Sequence, residues 1–246
     1  LHAQEMLGIV SSSHSGIIGS LINPAVPVTS PYYLDINIFS GDAFFENNYV
    51  YLAKEEYRFK RFLSKNPQYP THGTGNNMIA YDYYNSKDKY GYANARVLGP
   101  SAALTVGRHS FGIVTGTRTV MSTRNVPSEM AKFVFEQLDY SPQNNINYTH
   151  SRNIYNAELA WAEAGFNYSY VIKQKGTDYW AGGITAKLLK GYAGGYMYSN
   201  DVDYIYKAGD TLQVNNFDGE VGYSLPLDYQ TNELMDNPRF RGKGFG

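Results

Sequence analysis

Residues 157–196 read AELAWAEAGFNYSYVIKQKGTDYWAGGITAKLLKGYAGGY. Phe166, Tyr168, Tyr170 and Ile172 alternate there with Glu163, Gly165, Asn167 and Ser169. A period of two is the signature of a strand whose faces meet different surroundings. KQKGT (173–177) is a tight turn. Beyond it Trp180, Ile184, Ala186 and Leu188 alternate with Gly183, Thr185 and Lys187. The stretch is therefore a long hairpin with one apolar face and one small, polar face. That apolar face looks either at a protein core or at lipid, and this choice decides the fold.

Working outward, the same alternation recurs. YYLDINIFS (32–40) sets Leu34, Ile36 and Ile38 against Asp35 and Asn37. PSAALTVGRHSFGIVTGTRTV (100–120) reads as a second hairpin turning near residues 107–110, with Phe111 and Ile113 opposite Gly112 and, later, Arg118. NVPSEMAKFVFEQLDYSP (125–142) is the one helix, expected over 127–138. Pro127 suits its first turn, Glu129 the positive end of its dipole, and Met130, Phe133, Val134 and Leu138 form its stripe. Residues 40–98 read as an excursion containing a short charged helix, and 201–215 as a hairpin inside a long loop.

The connections near residues 108 and 175 are short, whereas those over 40–98, 124–156 and 191–243 are long. Outer-membrane barrels keep short turns on the periplasmic side and long loops outside. The expectation is an all-β, antiparallel, up-and-down transmembrane barrel, of which this chain is the N-terminal part. Residues 1–31 form an N-terminal segment and possible plug. Residues 32–246 form strands and loops, with GKGFG (242–246) opening the next strand. LHA (1–3) is compatible with the tail of a cleaved signal, cut after Ala3.

Composition agrees. The chain has 246 residues, 24 Tyr, 12 Phe and 24 Gly, with a formal charge of −1. Tyr suits surfaces where apolar matter meets water, and Tyr with Gly favours strands and turns. The absence of Cys excludes disulfides, thiol nucleophiles and cysteine metal sites. Near-zero charge gives no case for nucleic acid. No run approaches the roughly 18 apolar residues of a spanning helix.

Chemical motifs are weak. His2, His14, His72, His109 and His150 lack metal-ligand spacing. Asp201, Asp203 and Asp210 lack the closing Glu of a calcium loop. Gly73-Thr74-Gly75 follows no strand, and Ser86 with Lys89 matches S-x-x-K only within a polar loop. No catalytic residue, cofactor or metal is expected. Arg118, Glu163, Asn167 and Lys187 fall on the small, polar face, where they would either tune a passage or pair with one another. Asn23 and Pro24 lie in the candidate plug.

AKFVFEQLDYSPQNN (131–145), YNAELAWAEAGFNYSYVI (155–172) and GGITAKLLKGYAGGY (182–196) together resemble a family of bacterial outer-membrane β-barrels without assigned function, similar in outline to PorP/SprF-type and FadL-type barrels. SGIIGSLINPAVPVTSPYYLDINIFS (15–40) looks like the start of that family, and NPA also occurs near a small plug in FadL-type transporters. The resemblance implies a non-enzymatic protein of the bacterial outer membrane. It would transport small solutes, hydrophobic ones among them, or serve as a subunit of an envelope or secretion assembly. Its partners would be the lipid bilayer or detergent, and other envelope proteins. The alternative is a soluble secreted β-sandwich that binds carbohydrate through exposed Tyr and Trp180.

Overall fold

The computed structural model describes residues 10–53, 80–136, 140–176, 178–207, 211–225, 227–228, 230–231, 233–234 and 242–245. The chain is all-β and antiparallel. The excursion's charged helix and Leu138 lie outside the described residues.

Two single-turn helices, α1 (Gly16–Gly19) and α2 (Val26–Thr29), precede the strands. β1 (Leu34–Asn37) and β2 (Ser40–Asn47) follow almost in line. A small hairpin of β3 (Val50–Leu52) and β4 (Ala80–Asp82) leads to β5 (Lys89–Leu98) and β6 (Ser101–Val106), again nearly in line. β7 (His109–Val126) returns, and α3 (Ser128–Glu136) and a short β8 (Asn147–His150) intervene. Next come the long β9 (Ile154–Lys175), β10 (Asp178–Lys207) and β11 (Thr211–Ser224). Two-residue β12 (Leu227–Asp228) and β13 (Glu233–Leu234) pair with each other, and β14 (Gly242–Phe245) ends the described chain.

These strands form six long antiparallel lines in sequence order. β1 and β2 pair with β6 and β5, and both of those pair with β7. β7 pairs with β9, β9 with β10, and β10 with β11 and β14. The inner-end hairpins close as the sequence indicates. Val106 pairs with His109 across Gly107, and Lys175 with Asp178 across Gly176. Both glycines have φ +61°, a left-handed turn conformation that a side chain would disfavour.

The second line breaks at residues 99–100 because Pro100 has no N–H to give the ladder. Thr115 repairs the break: its N–H donates to Ser101 Oγ at 3.1 Å and its hydroxyl to the Pro100 carbonyl at 2.8 Å.

The structure corrects three expectations. β10 runs unbroken for 30 residues, so 191–207 is strand rather than loop, and only residues 208–210 separate it from β11. The outer end therefore carries one short connection, its length being taken up by the projecting strands. Residues 242–245 do not begin a further line. They continue the β11 line, pairing Leu188 with Phe245. The helix does not bury the expected stripe as a whole: Val134 is 69% exposed while Lys132 is buried. Separately from these corrections, the described sheet is not closed. Among the described residues the β1–β2 line and the β11–β14 line are both edges, and six lines fall short of the roughly eight a closed barrel needs.

The two faces differ as the opening stretch requires. On the outer face Phe166, Ile184 and Leu188 are 52%, 66% and 59% exposed, and no second sheet among the described residues covers them. On the inner face Asn167, Ser169 and Ser110 are wholly buried.

Candidate functional site

The inner face is built in cross-strand rows, one residue from each line. The lowest rows are small. Asp35, Ala103, Gly112, Asn167 and Thr185 form one, and Thr105, Ser110, Ser169 and Gly183 the next. Their smallness makes room for the N-terminal segment, which packs on them. Ile17 joins Leu98, Ala103, Val114 and Val10 in an apolar cluster, with Ile18 and Leu21 against it. A Cβ on Gly112 would stand 2.6 Å from Ile17 Cδ1, and one on Gly183 would stand 2.4 Å from the Pro24 carbonyl oxygen. Both glycines are therefore set by close approach of the segment rather than by turn geometry.

Polar contacts fix the same segment. Asp35 Oδ2 accepts the Ile17 N–H at 2.7 Å. Asn23 Oδ1 accepts the Ala25 N–H at 3.0 Å, which turns the chain so that the Pro24 carbonyl faces the sheet. Asn167 Nδ2 donates to that carbonyl at 3.1 Å and to Thr185 Oγ1 at 2.8 Å. Thr105 Oγ1 donates to the Pro27 carbonyl at 3.3 Å. Asn167 Oδ1 and Ser169 Oγ have no partner, so this interface is not fully satisfied.

Above the segment lies a charged band. Asp42, Arg96, Arg118 and Trp161 occupy one cross-strand row. Arg118 Nε donates to Asn94 Oδ1 at 2.9 Å, and its guanidinium lies 5.7 Å from the Trp161 ring centre. One row lower Glu163, almost buried, faces Lys187 Nζ at 3.4 Å. Of the candidate residues, Asn23, Pro24 and Asn167 thus meet at the segment, while Arg118, Glu163 and Lys187 form the band. Asp35, Asp42, Arg96, Gly112 and Gly183 belong with them and were missed. Their only sequence signal is their place on the polar face of alternating strands.

The outer end is tied across by α3. Met130 packs near Ile154, Val202 and Tyr204, and Phe133 lies 6.3 Å from the Tyr206 ring. From the other side of the helix, Lys132 Nζ contacts Asp82 Oδ2 at 2.9 Å and Glu136 Oε1 at 2.7 Å, with the Tyr140 ring at 4.6 Å. Burial works to lower the Lys132 pKa, but the hydrogen bonds from Glu136 and Asp82 outweigh it and raise the value overall. Tyr49 also donates to Asp82, at 2.9 Å, and burial, then this bond, push its phenol pKa far up. Lys89, in the S-x-x-K match, is buried against the Tyr83 carbonyl and Asn85 Oδ1, and desolvation lowers its pKa. Its Nζ is thus held by a backbone carbonyl and an amide oxygen, and among the described residues no serine hydroxyl bonds to it.

No group of three or more His, Cys, Asp or Glu able to hold a metal occurs among the described residues. Asp201 instead accepts from Ser151 and Asn216, at 2.9 and 2.8 Å. No described helix is long and apolar enough to cross a membrane.

Neither a curated protein nor a solved structure matches the chain. Residues 24–246 match the model of a family of unknown function, DUF5723, and the chain belongs to that family.

Proposed function

We propose that this chain forms wall and plug of a non-enzymatic β-barrel in the bacterial outer membrane, passing small solutes. The carrying observation is the outer face. On β10 its exposed side chains run Trp180, Ile184, Ala186 and Leu188 before the first charge, Lys190. That interval is about ten residues, or about 25 Å for a strand rising about 3.3 Å per residue at a tilt of about 40°, which is the height of an outer-membrane apolar band. Trp180 at its lower margin suits an interfacial aromatic and Lys190 at its upper margin a headgroup contact. A soluble domain would hold so many apolar residues beneath a covering layer. The likeness to PorP/SprF-type and FadL-type barrels belongs to this reading. In it, residues 10–31 sit in the lumen as the plug, and solute passes beside them.

A second reading is favoured by the charged band. The Glu163–Lys187 pair, with Arg118 on Asn94 and Trp161, is what a filled, rigid lumen would contain. The protein would then be a subunit of an envelope assembly. Conductance of the purified protein in a planar bilayer separates the two. Transport expects open-channel currents that rise when residues 10–31 are deleted. No current with or without the deletion, together with stoichiometric co-purification of envelope proteins, favours the subunit.

A further inference from the structure

The inner face carries a second feature above the charged band. A groove of about 680 Å³ lies there, with Phe44, Glu46, Tyr92, Ser122 and Arg124 in its wall. This is within the range of small-ligand sites. Glu46, Tyr92 and Ser122 share one cross-strand row, and Phe44 stands diagonally beside Tyr92 with ring centres 6.2 Å apart. Arg124 is one inner-face position further along β7, opposite Tyr155 of β9. Its guanidinium is exposed and makes no hydrogen bond or ion pair among the described residues. This sets it apart from Arg118, which is held on Asn94, and Arg152, which is paired with Asp88 at 2.7 Å.

Asp88 and Lys89 also line the groove, but Asp88 is paired with Arg152 and Lys89 is held by the Tyr83 carbonyl and Asn85 Oδ1, so the remaining charges polarise it. A free cation stands at one end, on β7. A carboxylate, Glu46, which accepts from the Tyr90 hydroxyl at 3.3 Å through Oε1, stands at the other, on β2, two strand spacings or about 10 Å away. The Tyr92 ring lies between them on β5, with the Phe44 ring beside it on β2. Resting on the transport reading, we propose that this groove binds a solute with a carboxylate at one end, a flat apolar ring face in the middle and hydrogen-bond donors at the other. The carboxylate takes the Arg124 fork in paired hydrogen bonds. The ring face lies on Phe44 and Tyr92. The donors meet Glu46. A uronic-acid disaccharide has this layout through its hydroxyls, and an aromatic dipeptide has it through its ammonium.

Calorimetric titration of the full chain in detergent tests this with three probes: digalacturonate, phenylalanyl-phenylalanine and neutral maltose. Binding of at least one acid is expected, with maltose weaker. Arg124→Gln should weaken that binding about tenfold or more. Arg108→Gln, in the inner-end turn, should leave it unchanged. Whichever acid binds identifies the source. Failure of both acids to bind, or binding unaltered by Arg124→Gln, overturns the proposal even if the protein conducts. Binding that behaves as expected in a protein without conductance overturns the transport reading and leaves this site standing.

Discussion

Asn167 Nδ2 donates to the carbonyl oxygen of Pro24 at 3.1 Å, joining two residues 143 positions apart. One side chain in the middle of β9 thereby holds the N-terminal segment against the inner face. The bond works because Gly183 beside it lets the Pro24 carbonyl approach.

Gly183→Val should displace the segment, because its Cβ would overlap the Pro24 carbonyl. Overpacking of this kind costs about 1–3 kcal/mol. The expected result is faster hydrogen exchange over residues 16–28 with the β9–β10 hairpin still protected. Unchanged exchange in the segment would show that it does not rest on Gly183.

Asn167→Leu tests the same interface by chemistry rather than volume. It removes the bonds to Pro24 and Thr185 and strands their acceptors in a buried place, at a cost of about 1–3 kcal/mol. Proteolysis near residues 20–30 should accelerate, whereas Phe166→Leu, one residue away on the outer face, should leave it unchanged.

The outer end should open when its buried cation is removed. Lys132→Met leaves Asp82 and Glu136 without their shared cation, at about 3–5 kcal/mol. Hydrogen exchange should rise in α3 and the β3–β4 hairpin and stay constant in β9. A uniform loss of protection would instead mean that α3 supports the whole sheet.

His150 gives the same region a pH dependence. Burial lowers its pKa from 6.5, with the Glu129 charge opposing and Arg152 reinforcing the shift. A base with a depressed folded-state pKa contributes stability above its unfolded value that is lost as pH falls. Protection around β8 and Tyr204 should therefore hold at pH 7 and decline below about 6.5. His150→Gln should flatten that decline, and an equal decline in the variant would assign it to other groups.

Alternation carried most of the fold. Phe166 against Asn167 and Ile184 against Thr185 fixed the hairpin, its faces and its partners, because a period of two leaves one register that buries one face. The extent of β10 was not legible. The bulges at Gly191/Ala193 and Ser199/Asp201 shift its phase, and Asp201 and Asp203 look like loop although β11 pairs with both and β8 with Asp203. The inner site was half legible. Glu163 and Lys187 stand out as charges on a small-residue face, but nothing local marks Gly112 or Gly183 as contacts for residues more than 90 positions earlier. Lys132 was hidden because a lysine outside the apolar stripe of a helix reads as solvated until Asp82, 50 residues away, is placed beside it.

Single spin labels on the refolded protein in lipid vesicles probe the outer face most directly, at Phe166 and Ile184 and at Asn167 and Thr185. Accessibility to dissolved oxygen, which concentrates among acyl chains, and to a water-soluble nickel complex is then compared at each site. High oxygen and low nickel accessibility at 166 and 184, with the reverse or neither at 167 and 185, is the expected result. Labels at 166 and 184 that are shielded from both reagents, or that meet nickel as freely as loop residues do, would contradict a lipid-facing wall.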